Sequence, residues 1–292
     1  MIIRSVNMVR ICTLENRTFE EIAETFNLAF SDYFFPIKLN DEQLKAKFSS
    51  EGGKLDLSVG VFENEKLVAF ILHFEDLING KKVIYNGGTG VIPEFRGNHL
   101  TAKMYEFILS KLKNEKTDKM VLEVLTQNLA ALKTYQNQGF KITRELNCFK
   151  GKINNFTPNK LDKTFEMKKL TELNWDLLRT FWAFEPTWQN SVSTMNYLEK
   201  ENICMGMEKE NKLIGYLIYN PTIKRIHQIA VHQNFRNIGV GSHLLNFISK
   251  IEDGDLTIIN VDSRMKNGNN FLEKRGFVNY TNQYEMEMEF DF

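Results

Sequence analysis

The sequence predicts two consecutive domains of α/β (α+β) type, with strands and helices interleaved in each half. Three observations carry that expectation. The chain has 292 residues, which suits two domains of about 140 residues better than one small domain. A motif recurs: residues 90–98 read GVIPEFRGN and residues 230–238 read AVHQNFRNI, so Val91, Phe95 and Arg96 return as Val231, Phe235 and Arg236, a shift of 140. Gln138-Gly139-Phe140 returns as Arg275-Gly276-Phe277, a shift of 137, and two matches in one order at nearly one shift point to duplication. The apolar periodicities also follow one plan in both halves.

In the first half, Val9 to Thr13 reads as a short strand. Thr18 caps a helix to about Phe30, with Glu20 and Glu21 in its first turn where the helix dipole favours them. Asp41 opens a second helix. Leu55 to Phe62 and Leu67 to Phe74 are strands joined by the turn Glu63-Asn64-Glu65-Lys66, and Val83 to Val91 is a third. Leu100 to Leu112 is helical, with Leu100, Met104, Phe107, Ile108 and Leu112 on one stripe. A buried strand at Met120 to Leu125, a helix at Asn128 to Gln138 and a strand at Lys141 to Phe149 complete the half. The second half has helices opening near Asn174 and Ser191 and strands at Ile203 to Glu208, Leu213 to Tyr219 and Arg225 to Val231. A helix from Gly239 to Ile251, a strand from Leu256 to Val261, a helix from about Asn267 to Lys274 and a strand from Val278 onward follow. The polar stretch with Asn154, Asn155, Pro158 and Asn159 reads as a linker. The expected domains are therefore 1–152 and 164–292, with 153–163 between them.

Composition excludes several classes. Lys plus Arg equals Asp plus Glu at 37 each, and neither half is basic (21 against 19 up to Asn155, then 16 against 18). That argues against nucleic acid as a partner, because such binding rests on neutralising phosphates. Cys12, Cys148 and Cys204 lie far apart, which excludes a disulfide scaffold and a cysteine-rich zinc site, and no metal is expected. The start MIIRSVNMVR lacks an apolar core and no run of 18 apolar residues occurs, so the expectation is a cytoplasmic protein without a membrane span.

The sharpest chemical signal is Arg236-Asn237-Ile238-Gly239-Val240-Gly241, followed by Ser242, between a strand and a helix. A helix start offers amides without internal partners and a partial positive charge. Glycines let that backbone approach an anion, which makes a cradle for a diphosphate. A tight turn whose glycines only relieve strain is the plainer reading of a bare G-x-G. The preceding V-x-x-x-F-R and the following G-F favour the cradle.

With these residues the chain resembles two tandem domains of the GNAT N-acetyltransferase superfamily. The hallmark [Q/R]-x-x-G-x-[G/A] is met by Arg236, Gly239 and Gly241. In the first half the loop reads Arg96-Gly97-Asn98-His99-Leu100-Thr101, with His99 and Thr101 at the two glycine positions. His99 either leaves its backbone amide usable or fills the phosphate pocket with its ring. The resemblance implies a mixed, mostly antiparallel sheet flanked by helices in each domain. Its fourth and fifth strands splay apart to admit the pantetheine arm of acetyl-CoA beside Val91 and Val231. It also implies acetyl transfer to a small-molecule or peptide amine.

The resemblance further implies a tyrosine acid in N-x-x-A-x-x-x-Y-x-x-x-G-F. Asn128, Ala131, Tyr135, Gly139 and Phe140 supply it in the first half, with Asn128 counted among the cofactor residues, whereas Leu272 takes the tyrosine position in the second. Glu123, in a strand beside the expected splay, is the candidate base, and His227 is its discounted counterpart. A buried carboxylate titrates high enough to take a proton from an ammonium. The loop Ser31-Asp32-Tyr33-Phe34-Phe35-Pro36 is expected to line the acceptor site, with Asp32 and Tyr33 holding an amine by charge and cation–π contact; an aromatic plug is the competing reading. The row Glu285, Glu287, Glu289 and Asp291 alternates with Met286, Met288, Phe290 and Phe292, and its acids are expected to face solvent. The sequence leaves two functions open: an acetyl-CoA-dependent N-acetyltransferase acting by direct attack, or a non-catalytic acyl-CoA-binding protein with degenerate domains.

Overall fold

The computed structural model describes residues 9–290. Met1 to Asn7 and Met8 of the expected uncleaved start, and Asp291 and Phe292 of the terminal alternation, lie outside the described residues. The chain forms two compact units. One runs to Thr143 and takes back the chain from Glu285 onward; the other is Arg144–Tyr284.

Unit 1 opens with β1 (Val9–Thr13), α1 (Phe19–Ala29) and α2 (Asp41–Glu51). Thr18 caps α1 by accepting from the Glu21 amide, and Asn40 and Gln43 form a reciprocal capping box at α2. The strands β2 (Gly53–Glu63), β3 (Lys66–Ile78) and β4 (Lys81–Val91) follow as an antiparallel meander. Asn64 and Glu65 have φ of 48° and 66°, both residues of the two-residue turn being left-handed, as strand twist favours. Then come α3 (Leu100–Asn114), β5 (Lys119–Leu125) and α4 (Leu129–Asn137). The sheet order is β1-β2-β3-β4-β5, with the end of the chain's last strand beyond β5. Only the β4–β5 pairing is parallel. Ile22, Phe26 and Ala29 of α1 are buried on one side, and Met104, Ile108 and Leu112 of α3 on the other. Each such side chain contributes about 1.5–3 kcal/mol.

Unit 2 begins inside β6 (Lys141–Gly151) and continues with β7 (Phe165–Lys169), α5 (Trp175–Arg179) and α6 (Val192–Tyr197). Next are β8 (Ile203–Lys209), β9 (Lys212–Asn220), β10 (Arg225–Val231), α7 (Val240–Ile251), β11 (Leu256–Asp262), α8 (Lys266–Lys274) and β12 (Val278–Glu289). Its sheet order is β6-β11-β10-β9-β8-β7, again with one parallel pair, β10–β11. One core packs α7 and α8 on the sheet around Leu244, Leu245, Ile248 and Leu272; a second gathers Leu178, Phe181, Met195 and Tyr216 on α5 and α6.

Four features depart from the sequence reading. Phe165–Lys169 is an edge strand that its polar FEMKK pattern did not suggest. Each unit takes its last strand from the other half: Arg144 onward of β6 pairs with β11 in unit 2, and Glu285 onward completes unit 1. The compact units therefore do not follow 1–152 and 164–292. The 153–163 stretch is anchored within unit 2: Ile153 is buried, Phe156 and Leu161 pack on the core, and the Asn154 amide donates to the Arg275 carbonyl at 3.0 Å. Glu285, expected on a solvated face, is 4% exposed.

Shortening the chain after Tyr284 removes the last strand of unit 1. The expected outcome is loss of hydrogen-exchange protection at Lys119–Leu125, while β10 and α7 keep theirs. Loss confined to unit 2 would contradict the strand assignment.

Candidate functional site

Both sheets open at the same place. In unit 1, β4 and β5 pair from Val83 to Asn86 against Lys119 to Leu122, and no further. In unit 2 the parallel pair is held only at Arg225 and Thr257. A bulge precedes each gap: the register slips between Leu72 and His73 on β3 opposite Gly87, and between Ile226 and Gln228 on β10, where His227 is the extra residue. Gly87 and His227 are related by the 140-residue shift of the repeat. A Cβ on Gly87 would lie 2.4 Å from the Phe74 ring, so the first half requires glycine there.

The loops between these strands and the following helices share one backbone. Gly97 and His99 have φ of 78° and 57°; Asn237 and Gly239 have 65° and 111°. The same two positions are left-handed in both, and each loop places glycine at a different one. His99 is the exposed N-cap residue of α3 and makes no side-chain cap bond. Asn98 Nδ2 donates to the Phe95 carbonyl at 3.0 Å and steadies the turn. Thr101 is half-buried in the first turn of α3, whereas Ile238 is exposed.

Arg96 and Arg236 hold these loops rather than reach out from them. Arg96 Nε donates to the Val91 carbonyl at 3.2 Å and Nη2 to the Ala29 carbonyl at 2.9 Å. Arg236 makes the same two bonds, to Val231 at 2.9 Å and Phe181 at 2.9 Å. In unit 1 the guanidinium also forms a two-pronged pair with Asp32, both contacts 2.7 Å. The Arg96 hydrogen bond holds the Asp32 carboxyl below its usual range. Asp32 and Arg96, read from sequence as substrate and cofactor residues, are therefore brought together as an ion pair.

Tyr33 meets the edge of the Phe30 ring at 4.9 Å and of Phe34 at 5.4 Å, and its hydroxyl hydrogen-bonds with Asn128. Asn128 is the N-cap of α4, accepting from the Ala131 amide at 3.2 Å. Its counterpart at α8 is Met265, which makes no side-chain cap bond. Tyr135 is buried, packs edge-on to Tyr105 and Phe140, and its hydroxyl hydrogen-bonds with Thr89 and Asn86. Burial pushes that phenol up to about 12. Asn86 Nδ2 donates to Tyr105 Oη and Thr89 Oγ1, each at 2.8 Å. Asn86, Thr89 and Tyr105 were not singled out from sequence; the signal was the glycine-rich end of β4, Asn86-Gly87-Gly88-Thr89-Gly90.

Glu123 follows Leu122, the last paired residue of β5, and accepts from the Tyr85 hydroxyl. Burial raises its pKa to about 8, and Glu285 and Glu51 add to the rise. Tyr85 and Asn86 are successive residues of β4 and face opposite sides. Glu123 and Tyr135 therefore flank the gap from the two faces of the sheet.

In unit 2 a cavity of about 910 Å³ reaches from the loop residues Asn237, Gly239 and Ser242 past Ile229–Val231 to Trp182 and Phe184. Val231, Arg236 and Gly241 also line it. Its volume is that of a site for a sizeable ligand. On its acceptor side the Tyr216 hydroxyl donates to Gln228 Oε1 at 2.6 Å, and Gln228 Nε2 to the Asn190 carbonyl at 2.6 Å. His227 Nδ1 faces Asn190 Oδ1 at 3.1 Å, and burial with the nearby Arg225 charge pushes its pKa down to about 3. Leu272, at the tyrosine position, is core. Among the described residues no group of three or more His, Cys, Asp or Glu is placed to hold a metal, and no helix is long and apolar enough to cross a membrane.

Two outcomes follow. His99→Gly relieves a left-handed histidine and is expected to stabilise unit 1 by about 1 kcal/mol in thermal unfolding; unchanged or lowered stability would mean the loop is unstrained. Glu123 binds a proton more tightly folded (about 8) than unfolded (4.5, the ordinary value of the group), so its stabilisation is complete below the lower value and is lost as pH rises through about 8. Glu123→Gln is expected to lose less stability than the parent chain between pH 5 and 9, measured by denaturant unfolding; parallel losses would show that Glu123 titrates normally.

Comparison with known proteins agrees with this geometry. Residues 16–140 match the model of the Acetyltransferase (GNAT) family and residues 200–279 match that of an Acetyltransferase (GNAT) domain, together more than half of the chain. No curated protein sequence matches. A GCN5-related N-acetyltransferase from Sphaerobacter thermophilus superposes with a TM-score of 0.72 at 12% identity, over 96% of this chain and 95% of that one. A tandem GNAT protein from the clavulanic acid biosynthesis pathway gives 0.72 at 12% identity, over 97% and 98%. A GCN5-related N-acetyltransferase from Anabaena variabilis gives 0.59 at 11% identity, over 96% and 72%. These identities establish fold. With both halves matched by its models and the splayed sheets in place, the chain belongs to the GNAT acetyltransferase family, in tandem-domain form.

Proposed function

We propose that the protein transfers an acetyl group from acetyl-CoA to a primary amine, on a small molecule or a peptide, by direct attack and without a covalent enzyme intermediate. The observation that carries this reading is the placement of Tyr135 and Glu123 on opposite faces of the gap beyond Asn86 and Leu122. Acetyl-CoA supplies a thioester carbonyl when bound. The residues that hold it are Val91, Arg96 to His99 and Thr101 in unit 1, and Val231, Arg236 to Gly239, Gly241 and Ser242 in unit 2. The two arginines act through loop shape, leaving the helix-start amides for the diphosphate.

Glu123 takes a proton from the incoming ammonium, which frees the nitrogen lone pair. The C–N bond then forms as the C–S bond breaks. Tyr135, whose high pKa keeps it protonated, gives its proton to the departing sulfur, and the proton shed by the new amide nitrogen returns the tyrosine to its neutral form. Asn86 and Thr89 fix the tyrosine hydroxyl, and Asn128 holds the start of α4 and thereby the helix that carries it. Tyr33 lines the acceptor side; Asp32 is engaged with Arg96 and acts on that loop. Unit 2 has the cavity but Leu272 in place of the acid, which favours a second role for that half: binding the nucleotide thioester without turning it over. A cytoplasmic setting accords with this reading.

The test is acetyl-CoA turnover over an amine panel. Tyr135→Phe is expected to lower kcat on the order of 10²-fold while CoA affinity changes little; an unchanged kcat would remove the tyrosine from the chemistry. The rate should rise with pH through about 8 and show no fall from Tyr135 ionisation below about 12. Glu123→Gln should abolish the rising limb, and a retained limb would assign the base elsewhere.

A further inference from the structure

Arg275 stands apart from most other described arginines of the chain. Arg10, Arg17, Arg96 and Arg264 each lie against a carboxylate. Among the described residues no carboxylate pairs with Arg275. Its Nη2 donates to Ser242 Oγ at 2.8 Å, and its Nε is buried without an acceptor. The guanidinium carbon sits 4.2 Å from the Phe156 ring centroid and 5.5 Å from that of Phe271. The backbone around it is tied down as well: the Arg275 carbonyl accepts from the Asn154 amide at 3.0 Å, and the Lys274 carbonyl from Asn154 Nδ2 at 3.2 Å.

This cation lines the same cavity as Gly239, Gly241 and Ser242. Ser242 lies in the first turn of α7, so the charge adds to the partial positive charge of that helix start. The stretch read as a linker supplies the outer support. Phe156 stacks on the guanidinium, and the Asn159 carbonyl hydrogen-bonds with His243 Nε2 at 2.9 Å while Asn159 flanks Gly239. A planar guanidinium oriented by two rings, without a counter-ion and beside unpaired amides, matches a phosphate group.

We propose that Arg275 is a phosphate ligand of unit 2, binding a phosphate of the nucleotide thioester alongside the amides that follow Gly239, with residues 153–163 as its structural support. The inference rests on the reading that unit 2 binds that thioester. The phosphate is either the diphosphate or the 3′-phosphate of CoA, and the two differ in dephospho-CoA.

Calorimetry on the full chain with CoA and dephospho-CoA tests it, the unit 2 site being the one lost in Gly239→Asp. Arg275→Gln is expected to weaken CoA at that site about tenfold. It should also flatten the salt dependence of the affinity, which a merely structural role would leave unchanged. Arg275→Lys keeps the charge, loses the fork and should fall between. Equal weakening of CoA and dephospho-CoA assigns the diphosphate; weakening of CoA alone assigns the 3′-phosphate. CoA affinity within twofold of the parent in Arg275→Gln, with an unchanged melting temperature, overturns the inference and leaves the reading of unit 2 intact. Absence of any site sensitive to Gly239→Asp overturns both.

Discussion

The parallel pairing at the centre of each sheet is short, and everything chemical depends on where it stops. Val83 to Asn86 pairs with Lys119 to Leu122, and the backbone beyond leaves a gap in an otherwise continuous ladder. An unpaired strand inside a sheet exposes donors and acceptors that must find partners. In unit 1 side chains gather there: Asn86, Thr89, Tyr105 and Tyr135 form one hydrogen-bonded group on one face, and Glu123 with Tyr85 on the other. A bulge at Gly87 sets the register just before the break, and steric pressure from Phe74 keeps that position glycine. The gap is thus a consequence of sequence at a few positions, and the placement of Tyr135 and Glu123 follows from it.

The two halves satisfy one backbone with different residues, and the differences have physical directions. Both phosphate loops need left-handed backbone at two sites; the first half puts glycine at 97 and histidine at 99, the second asparagine at 237 and glycine at 239. The half with glycine at the helix start leaves the approach to the amides clear. The half with histidine keeps the amides but has added Asp32, whose carboxylate ties down the loop arginine. Asn128 caps α4 and Met265 does not cap α8; Tyr135 hydrogen-bonds toward the gap and Leu272 fills a core. Unit 1 thus concentrates polar groups at the gap, and unit 2 concentrates space and positive charge around its loop.

The sequence showed what is local and concealed what is distant. Thr18, Asn174 and Ser191 each signal a helix start through a side chain that bonds an amide three residues on, and all three cap in the structure. Arg225 to Val231 reads as a strand because it is a short run rich in β-branched residues (Ile226, Ile229 and Val231), and the loop after it reads as a cradle because glycine spacing is a local property. The pairing of Asp32 with Arg96 spans 64 positions and leaves no trace in either segment. The exchange of final strands is equally silent: Lys141–Gly151 and Val278–Glu289 are strands of one kind, and pattern cannot tell which sheet each completes. The 153–163 stretch reads as a linker because it lacks periodicity, although Ile153, Phe156 and Leu161 are enough to fasten it to a core.

Strand exchange makes the chemistry of the first half depend on the far end of the chain. Glu285 belongs to unit 1 and is buried there, and its charge is among the influences that raise Glu123. Lys119 Nζ meets Glu287 Oε1 at 2.8 Å and the Phe290 amide donates to the Asp118 carbonyl at 3.0 Å, so the terminal strand is fixed along β5 by charge and by backbone. Burial is the largest cause of the rise at Glu123, and the nearby negative charge of Glu285 adds to it. Glu123 stands next to the gap and Glu285 lies on the strand beyond, so in the proposed reaction it is the ionised Glu123 that meets an arriving ammonium. The rise at Glu123 therefore owes part of its size to a residue 162 positions away, and that part arises only once the last strand is in place.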